Sequence, residues 1–136
     1  MFAGTCVNDM RAVDTNVLVR LITRDDPKQA TRADQWIEGG AFLSQLALAE
    51  MTWVLSAVYD LTPLAIHRAV SMLLDHRQLT IQDPEVVFAA LNHFKTKSAL
   101  GFSDCLLLEI ARKAGHTPLG TFDRAVGKLP GAERLG

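Results

Sequence analysis

From residue 10 onward, short apolar runs suited to strands alternate with longer segments of helical periodicity, and three of the helices open on an acid or hydroxyl set directly before proline. Arg11-Ala12-Val13-Asp14-Thr15 reads as a short buried strand ending in an acid, and Asn16–Thr23 as a helix that Asn16 caps. Asp25-Asp26-Pro27 starts an amphipathic helix that stops at Gly39-Gly40, and Ala41–Ser44 is a second strand. A helix over Leu46–Tyr59 follows, then one opened by Thr62-Pro63, a strand at Leu79–Ile81 and a helix opened by Asp83-Pro84. Ser103 is placed to cap a helix that Gly115 ends. Thr117–Thr121, a short helix at Arg124–Lys128 and Ala132–Leu135 complete the chain as strand, helix and strand. This alternation predicts an α/β sandwich with a mainly parallel sheet. Ligands in such folds collect beyond the carboxyl ends of the strands, where Asp14 and Asp123 fall.

A chain of 136 residues supports a single domain. Its net charge of −1 supplies no global field to draw it to nucleic acid, so a polyanion must meet a local basic cluster or an acidic pocket that holds cations. Two cysteines, Cys6 and Cys105, suit neither a disulfide framework nor a zinc site and read as reduced thiols. No apolar run approaches the ~20 residues that span a bilayer, and residues 1–9 lack the basic start and apolar middle of a secretory signal. The expectation is a cytoplasmic protein in which residues 1–9 are an extension, disordered or not native, and residues 10–136 are the working domain.

Most of the fifteen acidic residues have a local explanation. Asp25, Asp26, Asp83 and Glu85 sit at helix starts, where the dipole favours negative charge. Glu109 precedes Lys113 by four residues, the favoured order for a helical ion pair. Four acids do not fit. Glu50 has Leu46, Trp53, Val54 and Ala57 as its helical neighbours, and Asp104 has Leu107, Leu108 and Ala111. Asp14 and Asp123 end strands. A lone buried carboxylate costs several kcal/mol unless it is paired or neutralised. Two explanations stay open: each acid is held separately by amides or a distant Arg, or the four meet around a shared divalent cation. Mg²⁺ and Mn²⁺ take oxygen ligands, and such a site supports phosphodiester hydrolysis by a metal-activated water.

Val13-Asp14-Thr15-Asn16-Val17-Leu18, Glu50 within a helix, Ser103-Asp104-Cys105 and Thr121-Phe122-Asp123 resemble, in order, the acidic motifs of the PIN domain. More narrowly, the chain is similar to the VapC toxins of bacterial type II toxin–antitoxin systems. The resemblance covers Met10 to Gly136. It implies a three-layer α/β/α fold, Mg²⁺- or Mn²⁺-dependent endoribonuclease activity with one or two ions, a homodimer and a cognate VapB-type antitoxin. By motif position it makes Asp14, Glu50, Asp104 and Asp123 the catalytic, metal-binding acids. Thr121 would support the site and Asn16 would orient Asp14 or a bound water; the plainer readings are a strand-end hydroxyl and a helix cap.

Lys95, Lys97, Arg112, Lys113 and Arg124, with Lys128, cluster in the last third as candidate RNA contacts or as a solvated face. Arg20 and Arg24 carry the same ambiguity, and Phe102 and Phe122 are assigned to the core. The apolar helices around Trp53–Tyr59 and Leu64–Leu74 suit either the core or a partner surface. Two other functions compete with the nuclease: a catalytically silent PIN-like binding scaffold, and a receiver-like phosphoacceptor module. The second lacks the paired acids near the first strand that it needs.

Overall fold

The computed structural model describes residues 10–96 and 99–136, so the expectations for residues 1–9 and for Lys97 lie outside it. The chain runs β1 (Arg11–Ala12), α1 (Thr15–Thr23), α2 (Pro27–Ile37), β2 (Ala41–Leu43), α3 (Gln45–Ala57) and α4 (Pro63–Leu74). It continues as β3 (Leu79–Ile81), α5 (Pro84–Thr96), α6 (Phe102–Ala114), β4 (Leu119–Thr121), a single 3₁₀ turn at Val126–Lys128 and β5 (Ala132–Arg134). These elements form the expected α/β/α arrangement.

Local cap chemistry sets most helix starts. The side chains of Asp26, Ser44 and Thr62 accept from the amides of Gln29, Ala47 and Ala65, three residues on. Two expected caps are corrected. Asp14, not Asn16, caps α1, because its extended backbone (ψ 178°) lets the carboxylate reach the Val17 amide at 3.1 Å. Gly101, not Ser103, is the cap position of α6, which puts Ser103 and Asp104 inside the first turn. Gly115 ends α6 with φ +84°, as expected of its place.

Every strand pair is parallel. β2 lies between β1 and β3, with Arg11 opposite Ala41 and Ala41 opposite Leu79. β4 and β5 pair as a second, two-stranded sheet, so the strands divide into two ladders rather than one. Leu18, Leu43, Leu48, Met51, Leu55, Val70, Leu73 and Leu108 are fully buried between the layers. Among the described residues no helix is long and apolar enough to cross a membrane.

Polar contacts tie distant elements together. The Tyr59 hydroxyl donates to Asp25 at 2.8 Å, Thr23 donates to the same carboxylate at 2.8 Å, and Arg20 reaches both Asp25 and Tyr59. The Thr23 and Tyr59 hydrogen bonds hold the Asp25 carboxyl below its ordinary range. Arg24 pairs with Asp34 at 2.6 Å. Arg20 and Arg24 are therefore structural cations of the α1–α2 region.

Glu109 departs from the expected pair with Lys113. It is buried and meets His93 of α5 at 2.7 Å and Arg112 at 3.3 Å. Lys113 reaches instead to Asp83 and Glu85, at 2.6 and 2.7 Å, at the start of α5. Glu109 faces the helix α6 packs on, and Lys113 lies where the acidic start of that helix arrives.

Candidate metal and phosphodiester site

Asp14 stands at the end of β1, and the capping bond commits one of its oxygens to the Val17 amide. The next residue, Thr15, donates its hydroxyl to Glu50 Oε1 at 2.7 Å, which joins the start of α1 to the middle of α3. Thr15 has a positioning role the sequence reading missed. Its one local signal was a hydroxyl directly after an acid, and its partner lies 35 residues away.

The second half of the site comes from α6 and the turn after β4. The Asp123 amide donates to Thr121 Oγ1 at 3.0 Å, and Asp123 Oδ1 accepts from the Val126 amide at 2.9 Å. These two bonds fix the turn, and among the described residues the other carboxylate oxygen makes no hydrogen bond. Asp104 is half-buried in the first turn of α6, where a helix start favours an anion. Even so, burial first and the negative charge of Asp123 second push its carboxyl above the ordinary range. Among the described residues, none of Asp14, Glu50, Asp104 and Asp123 makes an ion pair.

Asp104 thus lies within electrostatic reach of Asp123, and Thr15, beside Asp14, bonds Glu50. Among the described residues, no three His, Cys, Asp or Glu side chains stand close enough to hold one ion together. The inference that all four acids are buried is also corrected. Asp14, Glu50 and Asp123 are exposed and only Asp104 is half-buried. Leu46 and Trp53 of the apolar stripe beside Glu50 are themselves surface, 70% and 66% exposed, and only Val54 packs on the core, because α3 buries Ala47, Leu48, Met51 and Leu55 on another face.

The donor set still fits a hard divalent cation. Such an ion binds one or two carboxylates and takes its other ligands from water and phosphate. Asp104 and Asp123, like-charged, within electrostatic reach of each other and without an ion pair among the described residues, meet that description. Cys105, next to Asp104, is fully buried and its thiol is pushed up to about 12, first by burial and then by Asp104, so it is no nucleophile near neutral pH.

The other candidates divide. Asn16 is exposed at the second helical position of α1, and Thr121 holds the Asp123 turn. Lys95 and Arg124 are exposed. Arg112 is engaged with Glu109 and with the Pro130 carbonyl at 2.6 Å, and Lys113 with two acids. Phe102 is core, edge-on to Phe94 at 5.9 Å between ring centres, whereas Phe122 is 75% exposed beside Asp123, against expectation.

The dual position of Asp14 makes a stability prediction. Asp14→Ala removes the α1 cap and is expected to cost about 1 kcal/mol, whereas Asp14→Asn keeps an equivalent cap and stays within roughly 0.5 kcal/mol of the parent. Urea unfolding of both variants checks this; equal losses would mean that the capping bond contributes nothing.

The family model described as PIN domain matches residues 11–131. No curated protein and no solved structure matches the chain.

Proposed function

The chain belongs to the PIN domain family, whose members are generally metal-dependent nucleases, and from that premise we propose that it is an Mg²⁺- or Mn²⁺-dependent endoribonuclease acting in the cytoplasm. Family membership replaces the receiver-like alternative. The observation that carries the proposal is the placing of Asp104 near Asp123: its carboxyl is raised first by burial and then by the charge of Asp123, and among the described residues neither acid makes an ion pair.

In this reading Asp104 and Asp123 hold one ion, and Asp14 and Glu50 serve a second or orient its water ligands. When bound, the ions supply an activated water near neutral pH and stabilise the leaving oxygen of the phosphodiester. The protein's own part is positional. Thr15 holds Glu50, the Val17 amide holds Asp14, and Thr121 with the Val126 amide holds Asp123, so these three acids each keep one oxygen in place and offer the other. Residues 10–136 are proposed as the nuclease domain, with residues 1–9 as an extension outside it.

The finer proposal is a toxin of a toxin–antitoxin pair, a homodimer restrained by a VapB-type antitoxin. Its support is the motif series, with the exposed apolar side chains of Leu46, Trp53, Val58 and Leu64 offered as a partner surface. A silent scaffold keeps one observation in its favour, the lack of three acids grouped at ligand distance among the described residues.

Incubating the purified protein with a panel of structured RNAs separates the two readings. Internal cutting with Mg²⁺ or Mn²⁺ that stops in EDTA and is lost in Asp14→Asn is the expected result. Absence of cutting at millimolar Mn²⁺ by antitoxin-free protein would leave the scaffold.

A further inference from the structure

A pocket of about 560 Å³ opens beside Asp14, between the β1–α1 junction and α2, within the size range of ligand sites. Its two cations are Arg11 and Arg32, and among the described residues neither pairs with a carboxylate. Arg11 is held in place. Its guanidinium lies 3.8 Å from the centre of the Trp36 ring and donates to the Trp36 carbonyl at 3.0 Å. The Trp36 indole in turn donates to the Ala12 carbonyl at 3.0 Å. Cation and ring are thereby fixed to the strand that leads into Asp14. Arg32 is exposed on α2, and Asn16 and Gln35 add amide donors and acceptors to the same wall.

We propose that this pocket is the subsite for the nucleotide flanking the cleaved bond of a single-stranded RNA, with Arg11 and Arg32 on its phosphate oxygens and Asn16 and Gln35 toward its base and ribose. The subsite rests on the nuclease reading for its placement beside the chemistry. A protein of net charge −1 must attract RNA locally, and guanidinium groups with no acid to satisfy them are suited to phosphate. Arg112 and Lys113 of the last third are already committed to acids of the protein, whereas Arg11 and Arg32 are not. Bases are read in this way where a strand is unpaired, so the strand proposed is single.

Anisotropy of a short fluorescent single-stranded RNA in EDTA measures binding without cutting. Arg32→Gln is the principal variant, since its side chain is exposed and makes no ion pair among the described residues; Arg11→Gln is the second. Each is expected to weaken binding about fivefold or more and to lower the slope of log K against log salt by roughly 0.7. Arg68→Gln, on α4 and outside the pocket, measures the effect of losing any surface charge. Parent-like affinity and slope for Arg32→Gln, or a loss no larger than that of Arg68→Gln, would overturn the subsite. Equal affinity for DNA of the same sequence would overturn its assignment to RNA. The same preparations assayed for cutting with Mn²⁺ keep the two ideas apart. Weakened binding without any wild-type cutting removes the nuclease and leaves the subsite, and cutting with undiminished binding by Arg32→Gln does the reverse.

Discussion

Asp104→Asn is expected to abolish metal-dependent RNA cleavage, by about a thousandfold or more, while leaving the protein folded and at least as stable as the parent in metal-free buffer. The activity loss follows from removing a carboxylate from a pair that holds a cation, which exceeds the ~100–1,000-fold cost of deleting one transition-state hydrogen-bond donor. The stability gain follows from the sign of the titration. Burial and Asp123 raise the Asp104 carboxyl in the folded state, so the fold disfavours its charged form. That penalty is absent below the ordinary carboxylate range and fully present above the raised value. Parent stability should therefore fall as pH rises through this window, and Asn should flatten that segment of the profile. Melting curves from pH 3 to 7 in EDTA, beside cleavage with Mn²⁺, test both halves. A lower melting temperature for the variant at pH 7 would make Asp104 a structural acid. Asp14 is expected to behave differently, because its carboxylate caps α1 and its removal takes away a favourable bond.

Glu109→Ala is expected to give the largest loss of stability among the acid substitutions. Glu109 is the one acid that the described part of the fold buries, with His93 and Arg112 as partners. Removing one member of a fully buried pair costs ~3–5 kcal/mol. Here the Arg112 side chain is 42% exposed and retains access to water, so about 2 kcal/mol is expected. For a chain of this size that lowers Tm by roughly 8 °C. Arg112 also donates to the Pro130 carbonyl at 2.6 Å, and a Cβ at Gly131 would stand 2.8 Å from its guanidinium. Loosening Arg112 therefore loosens the approach to β5, the strand paired with the one that leads to Asp123. Thermal denaturation decides the point: a Tm within a degree of the parent would show that the cluster is solvated rather than supporting.

The elements set by neighbouring residues were legible in the sequence. Asp26-Pro27 and Thr62-Pro63 open helices because cap and proline act within one turn, and Leu79–Ile81 is a strand in the structure as expected. The cap of α1 was misassigned to Asn16 because Asp14 serves both the strand end and the helix start. What the sequence concealed is tertiary. His93 lies 16 residues from Glu109, Asp83 30 from Lys113 and Glu50 35 from Thr15, and no periodicity within one helix points to these partners, although Arg112 stands one helical turn from Glu109. Exposure was misjudged for a related reason. An apolar neighbour such as Leu46 or Trp53 marks the core only if it is itself buried, and both are on the surface. The order of the acids was readable along the chain, whereas their division into the Asp104–Asp123 pair and the Asp14–Thr15–Glu50 group depends on how α6 and the β4 turn meet.

If Asp104 and Asp123 hold a divalent cation, Mn²⁺ binding read by electron paramagnetic resonance of the free ion detects it without recourse to activity. Titration of the parent is expected to show saturable uptake, with Asp104→Asn and Asp123→Asn each losing at least one ion per chain under the same conditions. Uptake by the parent no different from that of the two variants would leave Asp104 and Asp123 as acids without a metal role in a binding protein.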